Sequence, residues 1–464
     1  MFIGNSFMVM IEVLGVNAGP SERNKMTTEI SPTNNPSPTS HIVAEGHGDS
    51  YDTTFNDEPA RIGSIEPNVT IAEYTVHSPK VLYATSGAVG INDRNHNTGT
   101  FFTIPIGNVH LETGVSGLRY ISRKVSPEVT EETIKQLTYL RENGIGDDTW
   151  FSLPRSEQFA RLWSVVGDTG MQEIILPNEK PAYIKRELDN PSGSHYDRAY
   201  LHTLQHYEEI GFLQPGDTIM DISSGSAGIS LALIGTLLGY KVGITVPEEL
   251  PANRLYPILA FGAVAINAGT GYVPRAAQVQ VAQIQGYRGA EGWVETRPSD
   301  RSGRSILFQF EGKQRICYLN HSENELSPRA FATIADEIVS QQPGLTHLVL
   351  AEGNWTTITG IARRIRQLKP DTRIISYQGE HDGGITENYG TTVPDVALRF
   401  FDDSLVDERI VVTNDQRNTM RETAPELGNS TLMGLYVDQQ ITNTNQNSVV
   451  VSLAYDSSSK YKLA

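Results

Sequence analysis

Apolar positions fall along this chain in three regimes, and each predicts different elements. Residues 21–59 carry few large apolar side chains among Ser, Thr, Asn, Pro and Asp. A segment that cannot bury apolar surface is expected to stay disordered. The apolar patches before it, Phe7–Met10 and Val13–Val16, are split by Glu12 and lack a basic flank, so a signal peptide is not expected. From about Ala60 the pattern changes to short runs, Asn68–Val76, Lys80–Ala84 and Phe101–Ile106, separated by Gly, Asn and Asp. These read as strands. Ser126 then precedes Pro127 and Glu128, with Ile134, Leu137 and Leu140 at helical spacing, which predicts a serine-capped helix. The expected organisation is a disordered tail over 1–59, an accessory region over 60–155 that is β-rich and then helical, and a main domain over 156–464.

The third regime alternates. Asp217–Ile222 reads as a buried strand, Ala227–Leu238 as a helix and Lys241–Val246 as a strand; His347–Ala351, Thr359–Leu368 and Arg373–Ser376 repeat the order. This is the pattern of a doubly wound α/β fold with parallel sheets. The polar stretch Thr296–Arg304 reads as an inserted loop or hairpin. At 464 residues the chain has length for two or three domains.

Composition changes this picture little, and charge narrows it. A net charge of -17, with no basic concentration able to neutralise phosphates, argues against a nucleic-acid or anionic-membrane partner. The single cysteine, Cys317, excludes an intrachain disulfide and suits a reducing, cytoplasmic setting. No P-loop, G-x-S-x-G elbow or zinc-spaced Cys/His set occurs. His195, His202, His206 and Glu209 fall on one helical face at 3.6 residues per turn, with His202 and His206 at i and i+4, but no H-E-x-x-H motif accompanies them and no metal is expected.

The run Asn190-Pro191-Ser192-Gly193-Ser194-His195-Tyr196-Asp197-Arg198 resembles an N-P-x-G-S-x-K-D-R signature. Val166–Met171, Leu213–Ile219, Ser223–Ile229, Phe261–Ala263, Ile358–Arg364 and Asp456–Tyr461 supply further landmarks in the same order. Together they resemble the cysteine synthase and cystathionine β-synthase family. The resemblance implies the two-lobed fold type II architecture, tryptophan synthase β-like, with pyridoxal phosphate between the lobes and a homodimer as the assembly. In that family the signature lysine forms a Schiff base with the cofactor; Tyr196 stands at its position, and a phenol forms no imine. The phosphate loop, G-T-G-G-T in the family, reads Gly353-Asn354-Trp355-Thr356-Thr357 here. Ser226 replaces an asparagine set against the cofactor ring, Asn388-Tyr389-Gly390 replaces a G-I-G turn, and Ser430 keeps the place of a pyridine-nitrogen partner.

The serine-rich turn Ser223-Ser224-Gly225-Ser226-Ala227 follows a strand and opens a helix, where backbone N–H groups converge on anions. The resemblance assigns it the substrate carboxylate. The candidate residues are therefore Tyr196 and His195 for proton transfer, Ser223 to Ala227 for a ligand, and Gly353 to Thr357 with Ser430 as an altered cofactor site. Two readings follow. The first is a homologue without covalently held cofactor that binds a small amino acid or carboxylate, with an active paralogue as a further candidate partner. The alternative is a pyridoxal-phosphate-dependent lyase or transferase acting on serine-, O-acylserine- or cysteine-like amino acids.

Overall fold

The computed structural model describes residues 126–223, 225–248, 250–269, 272–311, 313–380 and 399–461, together with strand segments between 50 and 124. The chain divides into two compact units, Met1–Val125 and Ser126–Ala464. In the first, β1 (Ser50–Phe55), β2 (Glu58–Ile65), β3 (Thr70–Val76), β4 (Lys80–Ile91), β5 (Arg94–Asn97), β6 (Thr100–Ile104) and β7 (Gly107–Lys124) form antiparallel pairs. Their order is β1-β2-β7-β4-β6, with β3 on β7 and β5 on β4. The first strand begins at Ser50, inside the segment expected to be disordered. Its register with β2, Ser50↔Gly63 to Phe55↔Glu58, shows why: backbone pairing recruits a polar run that composition alone assigns to the tail.

The second unit opens with α1 (Pro127–Glu142), where Ser126 Oγ accepts from Val129 N at 3.4 Å as an N-cap should. Then follow α2 (Arg155–Trp163), β8 (Met171–Ile175), β9 (Pro181–Lys185), α3 (Tyr196–Glu209), β10 (Thr218–Ile222), α4 (Ser226–Leu237), β11 (Lys241–Val246), α5 (Ala252–Ala260) and β12 (Val264–Asn267). After α6 (Tyr272–Gly289) come β13 (Trp293–Thr296), β14 (Ile306–Phe310), β15 (Gln314–Tyr318), α7 (Leu326–Gln341), β16 (His347–Ala351), α8 (Thr356–Leu368), β17 (Arg373–Gly379) and β18 (Glu408–Val412). The chain closes with α9 (Asn414–Asn418), α10 (Asn429–Thr444) and β19 (Val450–Leu453). Residues 126–155 thus belong to the same compact unit as the main α/β fold. Trp150 explains it: its indole is fully buried, and Nε1 donates to Leu237 O at 2.5 Å, tying the α1–α2 region to the main fold.

One sheet of this unit runs β12-β11-β10-β15-β14-β13, parallel as far as β15 and antiparallel beyond it. Thr296–Arg304 thus lies in the connection of the β13–β14 hairpin. The other runs β18-β17-β16-β19-β9-β8, parallel except for β8. Helix α4 has no polar face to speak of: Ile229, Leu231, Leu233 and Ile234 are all buried, as in a helix enclosed on every side. In the other lobe, Phe331, Ile334 and Ile338 of α7 pack on Ile358, Ile361 and Ile365 of α8 and on Trp355. Arg198, from the signature run, pairs with Glu187 at 2.7 Å and Glu337 at 2.5 Å, while buried Lys185 reaches Glu337 at 2.6 Å. These charges are buried but paired, which is the condition for tolerating them.

Candidate active site

The carboxyl ends of β10, β15, β16 and β19 deliver their loops to one cleft with about 890 Å³ of empty space, its open mouth included. This is where parallel α/β folds place ligands. His195 and Tyr196 enter from the start of α3, and Arg254 from α5. His321 follows β15, Glu352 to Trp355 follow β16, and Tyr455, Asp456 and Tyr461 follow β19.

The serine-rich turn closes partly on itself. Ser223 Oγ accepts from Gly225 N at 3.0 Å and Gly228 N at 2.7 Å. Ser226 Oγ donates to Asp456 Oδ2 at 3.1 Å, so the hydroxyl is turned across the cleft. The N–H groups of Ser226 and Ala227, in the first turn of α4, have no intrahelical acceptor by construction and remain as anion donors. Arg254 lies beside them. A Cβ on Gly225, whose φ is 156°, would stand 2.9 Å from Arg254 Cδ. Arg254 itself is buried, stacks at 4.3 Å on Tyr461 and donates through Nε to Lys460 O at 3.3 Å. Ser224 lies outside the described residues.

The turn after β16 has a different fate. Trp355 sits at φ 65°, the left-handed conformation natural to glycine, and its indole is 1% exposed in the core of the lobe. Phe401 meets it edge-on at 4.6 Å and Arg409 covers its ring at 5.5 Å, while Nε1 has no hydrogen-bond partner among the described residues. Asn354 Oδ1 takes Thr356 N at 3.2 Å and Thr356 Oγ1 at 2.6 Å, and Nδ2 donates to Ser322 Oγ at 3.2 Å. Gly353 alone keeps open space, with nothing within 4 Å of where a Cβ would stand.

Tyr196 is half-buried, with His321 edge-on at 5.4 Å and His195 at 4.3 Å. Burial pushes its phenol up to about 12, against a hydrogen bond from Asn354, so it stays protonated. His195 is a poor proton acceptor. Burial, then the charge of Arg198, drives its imidazole down to about 3, and Nε2 meets Thr357 Oγ1 at 3.1 Å. The helical register that grouped His195 with His202 and His206 fails at this residue, which precedes α3 and turns inward. His206 instead reaches Asp300 at 2.6 Å, and no group of three metal-binding side chains occurs among the described residues.

Ser430 borders the cleft, and its carbonyl accepts from Tyr377 OH at 2.7 Å; Tyr461 OH donates to Asp456 at 2.8 and 2.9 Å. Asn388, Tyr389 and Gly390 lie outside the described residues. Sequence reasoning passed over His321, Asp221, Arg254 and Asp456. The available signal was position: Asp221 and His321 sit at the carboxyl ends of strands that pair in parallel, Thr218↔Ile316 to Met220↔Tyr318.

The fold and the cleft define a two-lobed α/β protein of the pyridoxal-phosphate class. The profile described as "Pyridoxal-phosphate dependent enzyme" matches residues 166–417, and the chain belongs to that family. It is 30% identical over 275 residues to cysteine synthase B of Salmonella typhimurium, covering 58% of this chain and 81% of that one. It is 31% identical over 222 residues to cystathionine beta-synthase of Oryctolagus cuniculus, covering 46% and 36%. Among solved structures, O-ureido-L-serine synthase superposes with a TM-score of 0.53 at 21% identity, covering 65% of this chain and 92% of that one, a likeness of fold.

Against that family cofactor, the residues of the cleft fit poorly. No lysine is among the described residues that line it. The two fully enclosed lysines are engaged elsewhere: Lys185 with Glu337, and Lys460 with the carbonyls of Ser192 and Gly193 at 3.2 and 3.0 Å. The turn that would cradle a phosphate carries an indole at a glycine-shaped position. A Schiff base at position 196 has no amine to form from.

Proposed function

We propose that this chain keeps the cleft of its family without covalently held pyridoxal phosphate and binds a small amino acid or carboxylate there. The observation that supports it is the lysine-free lining of the cleft, with a protonated phenol at Tyr196. The ligand's carboxylate would meet the N–H groups of Ser226 and Ala227 and the charge of Arg254, two features that favour an anion at one end of the site. Asp456 gives the remaining wall an acidic group suited to an ammonium, whereas the carboxylate of Glu352 is already paired with Arg409 at 2.6 Å. The homodimer and cytoplasmic setting implied by the resemblance belong to the same proposal.

Absorbance and melting test it. The purified chain should show no aldimine band, nothing for borohydride to discharge, and no stabilisation by added pyridoxal phosphate. L-serine or O-acetyl-L-serine, at a hundred times its dissociation constant, should add about 2.7 kcal/mol. Tyr196→Lys alone should stay colourless, because Trp355 still occupies the phosphate turn. A yellow wild-type protein would overturn the reading in favour of a pyridoxal-phosphate-dependent β-replacement or β-elimination enzyme.

A further inference from the structure

We propose that Asp221 and His321 form an oriented general base on the wall of this cleft, which acts with Tyr196 to hydrolyse the O-acyl ester of a small carboxylate-bearing alcohol. The proposal rests on the cofactor-free reading of the cleft. It stands on geometry none of the sequence motifs marked.

Asp221 is 2% exposed and its carboxylate is fully committed. Oδ2 takes His321 Nδ1 at 3.0 Å, His321 N at 3.1 Å and Tyr200 OH at 3.1 Å, while Oδ1 takes Ile222 N at 2.8 Å. Holding both the ring and the backbone of His321 fixes where the imidazole points. Donation from Nδ1 to the carboxylate fixes the tautomer and leaves the Nε2 lone pair as the acceptor. Among the described residues, Nε2 meets Ser322 Oγ at 3.4 Å, a long and weak hydrogen bond, and His321 lines the cleft. His195, the nearer histidine in sequence to Tyr196, offers no such acceptor: its ring is enclosed by Phe331 at 4.9 Å and Tyr455 at 5.4 Å.

Tyr196 supplies the complementary donor. The Asn354 amide beside it is pinned by Thr356 and Ser322, and burial keeps the phenol protonated, so its proton is there to be given away. A base and a donor thus face one space, with an anion-binding end beyond them. In the step proposed, water attacks the acyl carbon and its proton passes to His321 Nε2. Tyr196 donates a hydrogen bond to the carbonyl oxygen as it becomes an oxyanion. Collapse breaks the ester C–O bond, and the departing alkoxide takes the proton back from Nε2. Acid and alcohol leave, and water is the only co-reactant. His321 and Tyr196 are catalytic residues in this scheme; Asp221 positions.

The test uses the full chain with p-nitrophenyl acetate and O-acetyl-L-serine as probes. Wild type should hydrolyse both above the buffer rate. His321→Ala should lose about 10²-fold or more in kcat, the usual contribution of general base catalysis. Tyr196→Phe should lower kcat with KM little changed. Nitrogen-15 spectra of His321 should show the Nδ1–H tautomer in wild type and its loss in Asp221→Asn, a readout that a merely structural aspartate would not move. A wild-type rate equal to buffer, or equal to that of a folded His321→Ala, overturns the proposal and leaves the cofactor-free reading standing. A borohydride-sensitive yellow protein overturns that reading instead.

Discussion

Two strand-to-helix turns border the same cleft, and they fill the space at their helix N-termini in opposite ways. The β10–α4 turn keeps small residues and answers its own donors: Ser223 Oγ takes the N–H groups of Gly225 and Gly228. The β16–α8 turn keeps a glycine-like backbone at φ 65° but hangs an indole on it. In one the backbone donors are occupied by a hydroxyl that a ligand could displace. In the other the side chain is part of the lobe's core, and nothing short of repacking removes it. The difference teaches that backbone shape outlasts ligand chemistry, because the turn is fixed by its flanking strand and helix while its side chains are free to change.

The sharpest way to break the comparison is at Trp355. Trp355→Ala should cost about 3–5 kcal/mol, the range for removing a large buried aromatic, read from urea unfolding. Trp355→Gly should lose less, by roughly 1–2 kcal/mol, because glycine carries no penalty for the left-handed backbone. If alanine and glycine destabilise equally, the position is unstrained and the turn was not glycine-shaped.

Gly225→Val probes the other turn with a smaller effect on folding and a larger one on binding. The backbone at φ 156° is one that L side chains rarely adopt, a strain of about 1–3 kcal/mol. The added Cβ would meet Arg254 Cδ at 2.9 Å and displace the guanidinium from the α4 N-terminus. Stabilisation by L-serine or sulfate should therefore vanish. Retained stabilisation would place the ligand elsewhere in the cleft.

Much of this was legible in the sequence. Lys241–Val246 and His347–Ala351 match their strands end for end, because continuous apolar runs bounded by turns have few other solutions. The β10–α4 and β16–α8 turns were identifiable because each lies between a strand and a helix that periodicity defines. Asp221 and His321 were not, since a contact across 100 residues depends on β15 pairing with β10 instead of β11, and local pattern says nothing of strand order. Lys460 was equally hidden: its burial against Ser192 and Gly193 is set by the chain's last described turn returning to the α3 loop.

The smallest expected effect carries the finest distinction. Ser223→Ala removes the hydroxyl that serves Gly225 N and Gly228 N, and should cost about 1 kcal/mol, the usual worth of a capping side chain. Both bonds are buried, so the cost is that of two donors left without their acceptor. Those same groups become available to a ligand, so the variant should be less stable alone yet gain more from sulfate than wild type does. Melting curves with and without sulfate separate the two effects: the lines should start lower and rise more steeply. Parallel lines would mean that Ser223 is structural and that a ligand never competes for its donors. The two turns would then be alike in having closed to anions, one by a hydroxyl and the other by an indole.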